Sequence, residues 1–364
     1  MAATADHSVP IWAALAPVLA FGFLGLKLGG VVSAGSPAVL IGAAVLLGAS
    51  VFAAVHHAEV LALKVGEPFG SILLAIAVTV IEVALIVSIL LSKAPGSEMV
   101  ARDTVYSAVM IVLNGVVGLC LVMGARRHHL QTFQVDGASA TLAVLGTLAV
   151  FALMMPNFTD ATRGPDYAPI QLLVVGAVSL ALYIVFVFVQ TVRHREYFMD
   201  EADEAHPGGH SPSHAVAAAS TVLLILSLTA VVVLAKILSE PLTRAVQAAG
   251  LPVAVVGVVI ASVVLLPEGI AAMKAALQNR LQGSINLALG SAVASIGLTI
   301  PTVALVSLIF DLPLVLGLSD ENMVLLMLTL FAATLTLGTG RTTVLQGAVH
   351  LVIFSVFLLL SVIP

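Results

Sequence analysis

Charged side chains are scarce in this chain: Asp, Glu, Lys and Arg make up 9% of its 364 residues, and 60% are hydrophobic. Soluble domains carry about 25% charged residues, so this composition excludes an ordinary soluble protein. Strand-like alternation of apolar and polar residues is also absent, which argues against an outer-membrane barrel. The sequence therefore predicts an integral membrane protein whose partner is the lipid bilayer and whose spanning helices each need roughly 20 apolar residues.

Several other absences narrow the function. The single cysteine, Cys120, cannot form an intrachain disulfide, and there is no CxxC metal site. No GxxxxGKS/T element is present, which disfavours a primary pump, and the lack of HExxH, GxSG and GxGD disfavours an intramembrane protease. We expect no enzyme activity, no cofactor and no nucleic-acid partner. The first ten residues lack Lys and Arg, so they do not resemble a signal peptide, and we expect the first hydrophobic stretch to be retained.

Hydrophobic stretches fill most of the chain. The sequence predicts an all-α membrane protein of about 11 transmembrane helices, at about 9–28, 37–56, 71–92, 104–124, 138–156, 168–191, 215–238, 251–273, 285–310, 323–338 and 344–363. Gly and Pro are common inside these stretches, as membrane helices tolerate.

One strongly polar connection, residues 192–214, separates the first six stretches from the last five. It contains five acids and four histidines: Glu196, Asp200, Glu201, Asp203, Glu204, His194, His206, His210 and His214. Lys and Arg number eight in one set of alternate loops and six in the other. This bias predicts that the N-terminus and the acidic, His-rich loop are cytoplasmic.

Two acidic residues lie deep in apolar stretches, at related places. Glu82 follows Pro68 by fourteen residues, and Glu268 follows Pro252 by sixteen. Stretches two to six and seven to eleven therefore look like two related halves, and because each has five spans, the second is inverted relative to the first. The predicted domains are an N-terminal helix (1–36), a first five-helix repeat (37–191), the cytoplasmic loop (192–214) and a second five-helix repeat (215–364).

A carboxylate near the bilayer centre is costly, at least ~2.5 kcal/mol on insertion scales. A structural explanation is that each carboxylate only forms a hydrogen bond to a neighbouring helix. Because no Lys or Arg lies deep in any stretch, we instead expect the counter-ion of Glu82 and Glu268 to be a transported cation or a proton. Inverted repeats place such a site near the midplane.

Polar residues on the next helix of each half are further candidates. Sliding one half onto the other puts Asn114 opposite Ser291 and Gly118 opposite Ser295. Taken alone, Asn114, Ser291 and Ser295 are more typical of helix packing than of ligands. Their repeat-related positions make them candidate cation ligands.

The chain resembles the calcium/proton antiporters of the cation/calcium exchanger superfamily, most closely the bacterial ChaA-type branch (sodium/potassium/calcium–proton antiporters). The resemblance is carried by "HHAEVLALKVGEPFGSILLAIAVTVIEVALIVSILL" and "LLPEGIAAMKAALQNRLQGSINLALGSAVASIGLTIP". That family's repeats centre on Gly-Asn-x-x-Glu-like elements, which match here at Glu82 and Glu268. The preceding residues depart, as Val78-Thr79 and Val264-Leu265, which leaves Thr79 as a candidate ligand.

Together these features predict a secondary antiporter in a bacterial inner membrane, which exports Ca²⁺ in exchange for H⁺ by alternating access at the two midplane glutamates. The expected metal-binding residues are Glu82, Glu268, Thr79, Asn114, Ser291 and Ser295. Calcium takes six to eight oxygen ligands, which suits this set, and two protons or one divalent cation would neutralise both glutamates equally. Na⁺ or K⁺ exchange at the same site and a cation channel stay open as alternatives, as does the oligomeric state.

Overall fold

A computed structural model describes residues 9–29, 36–66, 69–162, 164–198 and 212–364. Within them the chain forms eleven long helices: α1 Ile11–Leu28, α2 Pro37–Val65, α3 Phe69–Leu90, α4 Ser97–His128, α5 Val135–Phe158, α6 Pro169–Arg193, α7 His214–Ala248, α8 Ala254–Leu277, α9 Leu281–Phe310, α10 Asp320–Leu337 and α11 Val344–Val362. Ten are long and apolar enough to cross a membrane, and α1 is a shorter apolar helix. The predicted all-α membrane fold is confirmed.

α2 and α7 show the longest extensions beyond one end of the hydrophobic stretches that predict them. α2 extends nine residues beyond 56, and α7 extends ten beyond 238. The sequence prediction ended both where polar residues begin, at His56 and at Ser239. These segments continue as helix because a helix that leaves the hydrocarbon region keeps all of its internal hydrogen bonds.

The helices belong to two compact units. Unit 1 contains α1, α2, α3 and α7 as far as Ala245, and unit 2 starts at Lys93, contains α4 to α6, and resumes at Val246. These units group residues by packing, whereas the predicted repeats group them by sequence likeness. The repeat boundaries therefore stay a prediction.

Unit 1 is held together by small residues. A buried cluster joins α1, α2 and α7 and consists of Ala20, Leu24, Ala43, Ala230 and Leu234. At the start of α3, a β-carbon on Gly70 would lie 2.6 Å from the Ala62 carbonyl oxygen of α2. Only glycine fits so close an approach, and small residues of this kind allow membrane helices to pack by van der Waals contact.

Unit 2 uses the same device between α4 and α8. A β-carbon on Gly257 would lie 2.6 Å from the backbone of Asp103. On α4, Gly115 and Gly118 face α11, where added β-carbons would lie 3.2 Å from Phe354 and 3.1 Å from His350. α4 is thus packed tightly against α8 near its start and against α11 at its middle.

The connections of unit 2 gather into two groups. After α4, strand β1 (Gln131–Thr132) pairs with β2 (Arg341–Thr342), which follows α10, in antiparallel register. Gln131 Nε2 also donates to the Ala276 carbonyl near the end of α8, at 2.9 Å. In the second group, the Val315 N–H donates to the Glu98 carbonyl at 3.0 Å and the Gly317 N–H to that of Pro165 at 2.9 Å. Within unit 2 the helices therefore alternate in direction.

Part of the polar connection lies outside the described residues. This applies to Asp200, Glu201, Asp203, Glu204, His206 and His210. Of the described positions, His194 stacks on the Tyr197 ring, with centroids 5.1 Å apart. The cytoplasmic location of the loop stays a prediction.

Four spanning helices contain a π-helical segment, in which the backbone is locally underwound. The segments are Ile111–Val116 in α4, Val150–Met154 in α5, Val189–Arg193 in α6 and Ser295–Thr299 in α9. Such segments are frequent at functional sites. Those in α4 and α9 contain the predicted ligands Asn114 and Ser295.

Candidate cation site

Glu82 lies in the middle of α3. It is 13 residues from the first residue of this helix and 8 from the last, and its side chain is buried, with 1% of the residue exposed. Thr79 precedes it by three residues, so the two side chains share a face of the helix. The Thr79 hydroxyl is buried and makes no hydrogen bond with any residue that the structure describes. α3 thus presents a carboxylate and a hydroxyl together in the membrane interior of unit 1.

Glu268 occupies the matching depth of α8 in unit 2. It is 14 residues from the first residue of that helix and 9 from the last, and it is half-buried. The preceding residue, Pro267, has no N–H, so the carbonyl of Val263 loses its intrahelical donor. A carboxylate and a freed carbonyl oxygen therefore lie within about one turn of each other.

Ser291 of α9 provides Glu268 with a hydrogen bond. Its hydroxyl donates to Glu268 Oε2. Hydrogen bonds to ionised groups are the stronger ones, so this donor stabilises the carboxylate in the charged form. The structure brings these two predicted site residues together.

Asn114, in the π segment of α4, is fully buried. Its amide nitrogen donates to Thr329 Oγ1 of α10 at 2.9 Å, and its amide oxygen lies 2.9 Å from His350 Nδ1 of α11. The other ring nitrogen of His350 lies 3.1 Å from the Thr336 hydroxyl. The structure therefore places Asn114 in a buried polar network that links three helices.

The π segment that contains Asn114 also contacts α8 at Gly269, the residue after Glu268. A β-carbon on Gly269 would lie 3.2 Å from Val116 Cγ2. Ser295, in turn, is buried at the start of the π segment of α9, with 3% exposed. Its role as a ligand, like that of the other candidates, stays a prediction.

Thr329, Thr336 and His350 were missed by the sequence analysis. Two signals could have found them. The threonines are seven residues apart, which places both on one face of α10. His350 is the lone ionisable residue in the apolar stretch of α11.

A second polar region of unit 2 lies where α4, α8 and α10 begin. Arg102 Nε is 2.8 Å from Asp103 Oδ1, and Arg102 Nη1 donates to the Gly317 carbonyl at 3.1 Å. These residues and Tyr106 line a cavity of about 180 Å³. In the connection before α6, burial raises the pKa of Asp166, and the Arg102 charge opposes this rise. The ion pair explains how Asp103 is tolerated in a buried position.

Across the described part of the chain, no three His, Cys, Asp or Glu side chains cluster as a preformed metal site. The candidates are instead single carboxylates, each with a hydroxyl near it: Thr79 shares the helix face of Glu82, and Ser291 bonds Glu268. Hard cations such as Ca²⁺ take oxygen ligands of these types. Such groups suit a cation that binds in transit.

The apolar helices define an integral membrane protein, and the carboxylates halfway along two of them mark a functional site. The chain belongs to the sodium/calcium exchanger protein family, which it matches over residues 35–192 and 219–363. The superfamily expected from the sequence is thereby confirmed.

Curated relatives agree with this membership, and a solved structure shares the fold. The chain is 58% identical, over 98% of its length and 97% of the relative's, to a protein of Sinorhizobium fredii named provisionally as an ionic transporter, y4hA. It is 35% identical, over 85% of both chains, to the sodium-potassium/proton antiporter ChaA of Escherichia coli. The solved structure of YfkE, a Ca²⁺/H⁺ antiporter protein, covers 97% of this chain and 99% of its own with a TM-score of 0.73. At 16% identity, that likeness shows the fold alone.

Proposed function

We propose that this chain is a secondary active cation/proton antiporter of a bacterial inner membrane, with Ca²⁺ as its leading cation. The observation that carries the proposal is that α3 and α8 each have a glutamate near the middle of the helix. Membership of the exchanger family supports cations as substrates. Cation and proton are the cargo, and no cofactor is part of the proposal.

The coupling follows from the chemistry of a carboxylate in a medium of low dielectric. Burial disfavours its charged form, so it takes up either a proton or a cation. Cation and protons then compete for the same oxygens of Glu82 and Glu268. An empty carboxylate is too costly to move across the bilayer, so outward movement of one cargo requires return of the other.

The oxygen set favours a divalent cation. Two glutamates provide up to four oxygens and two negative charges, and Thr79, Asn114, Ser291 and Ser295 offer neutral oxygens beside them. Calcium takes six to eight such ligands, whereas a monovalent cation needs less charge.

A second candidate is Na⁺ or K⁺ exchange for H⁺ by the same residues. It is favoured by the 35% identity to the sodium-potassium/proton antiporter of Escherichia coli, which exceeds the identity to YfkE. A channel is disfavoured because ion passage through a channel does not require protonatable groups in the path.

Purified protein in vesicles that contain a pH-sensitive dye tests the proposal. A Ca²⁺ pulse should release protons in the wild type, and Na⁺ and K⁺ pulses in the same vesicles rank the three cations. Cation flux without proton movement would establish a channel. Proton release by Na⁺ or K⁺ but not by Ca²⁺ would replace the leading cation by the second candidate.

A further inference from the structure

The donor and acceptor roles within the network of Asn114, Thr329, Thr336 and His350 are fixed by a backbone group. The Thr329 hydroxyl donates to the Leu325 carbonyl at 2.8 Å. Since a hydroxyl has one hydrogen to donate, Thr329 can only accept from Asn114. The amide nitrogen of Asn114 therefore points toward Thr329, and its oxygen points toward His350.

This amide orientation determines the tautomer of the histidine. The Asn114 oxygen can only accept, so Nδ1 of His350 must carry the hydrogen. In neutral imidazole Nε2 is then an acceptor, which the Thr336 hydroxyl satisfies at 3.1 Å. Every polar atom of the histidine ring has a partner, as a buried network requires.

The network reaches from α11 into the segment of α4 beside Glu268. His350 approaches because Gly118 has no side chain: a β-carbon there would lie 3.1 Å from His350 Cβ. Val116, two residues after Asn114, packs on Gly269 next to Glu268. The π segment that His350 bonds through Asn114 therefore also contacts α8 at the residue after Glu268.

We propose that His350 is a positioning residue for cation exchange, in which Nδ1–H holds the Asn114 amide in one orientation within the π segment of α4. This inference rests on the proposed function. A free amide could turn over and present its nitrogen, which repels a cation, in place of its oxygen. With the histidine in place, only the oxygen remains available beside its hydrogen bond.

Two substitutions distinguish the contributions of the two ring nitrogens of His350. An asparagine amide places its N–H near the position of Nδ1, whereas a glutamine amide reaches the position of Nε2. His350→Asn should keep the bond to Asn114, so the apparent KM for the cation stays within about twofold of the wild type. His350→Gln should keep the bond to Thr336 and lose that to Asn114, so KM rises by about five- to tenfold with kcat nearly unchanged. His194→Asn, at an exposed histidine outside the network, is the matched control.

A purely structural role predicts another pattern. If His350 only ties α11 to α10 through Thr336, glutamine should preserve stability and asparagine should lower it, with KM unchanged in both. That outcome, or equal KM for both variants, would overturn the inference. Each variant is compared by its thermal unfolding midpoint in detergent before exchange is measured.

Nitrogen NMR of histidine-labelled protein gives a readout that does not depend on transport. We expect one buried ring, absent from His350→Asn, to carry its hydrogen on Nδ1. Hydrogen on Nε2 would overturn the inference even if exchange is normal. Absence of proton-coupled exchange in the wild type would instead remove the proposed function and leave the tautomer result intact.

Discussion

α3 and α8 provide different surroundings for the glutamate that each contains. Both are spanning helices with a glutamate near the middle, and both approach a neighbouring helix through a glycine. α3 contains no proline among its described residues and buries Glu82 beside a threonine of its own face, whereas α8 places Pro267 before a half-buried Glu268. A hydroxyl from α9 then bonds Glu268. Glu268 thus accepts a hydrogen bond from a neighbouring helix, whereas the Thr79 hydroxyl on the face of Glu82 makes no hydrogen bond with any described residue.

The largest effect is expected when the glutamate that α3 and α8 each contain is replaced. Glu82→Gln and Glu268→Gln keep size and hydrogen-bonding ability but lose the titratable charge, so each should abolish proton-coupled exchange. Vesicle exchange is measured after each variant elutes as a single monodisperse species. Glu240→Gln, on an exposed part of α7, is the matched control. Near-wild-type exchange by either variant would remove that glutamate from the transport function.

The next largest effect should distinguish the surroundings of Glu268 in α8 from those of Glu82 in α3. Ser291→Ala removes the hydroxyl that bonds Glu268, and a hydrogen bond to a charged group contributes about 1.5 kcal/mol, so apparent cation affinity should fall about tenfold. Thr79→Val keeps shape and removes a hydroxyl without a described partner, so the loss should be only about twofold. Affinity is read from the initial rate of proton release against cation concentration. A larger loss of affinity in Thr79→Val than in Ser291→Ala would show that the hydroxyl beside Glu82 contributes more to cation binding.

A smaller effect tests the freed carbonyl of α8. Pro267→Ala restores the N–H that the Val263 carbonyl lacks, so an oxygen available to a cation becomes engaged in the helix. Apparent affinity should fall about twofold, with the helix itself more regular. Leu266→Ala, at an exposed side chain immediately before Pro267 in α8, is the positional control and should not reproduce the change. An unchanged affinity in Pro267→Ala would exclude this carbonyl from cation binding.

The last test leaves exchange unchanged and examines the orientation of α3 and α8 in the membrane. If the second repeat is inverted, α3 begins on the cytoplasmic side and α8 on the outer side. In a Cys120→Ser background, Ala249→Cys, just before α8, should react with an impermeant thiol reagent added to intact cells. Val65→Cys, just before α3, should react only after the membrane is opened. Labelling of both from outside would contradict the inverted arrangement.

The helices themselves followed from the sequence. Each long helix coincides with an apolar stretch, because exclusion of backbone polar groups from lipid forces such a stretch to be helical. The ends of α2 and α7 did not follow, since polarity marks where the hydrocarbon region ends and not where the helix does. Strands β1 and β2 were also unforeseen: two-residue strands have no pattern of their own and exist only because two connections meet.

For the site, the sequence by itself determined the glutamates and their depth. A charge in a run of apolar residues is visible without coordinates, because its burial is costly wherever the helix packs. It also indicated Ser291, which the structure brings to Glu268. Only the tertiary structure decided what surrounds Asn114. Its partners Thr329 and His350 are 215 and 236 residues away, and hydrophobic periodicity carries information over a few turns, not over such distances.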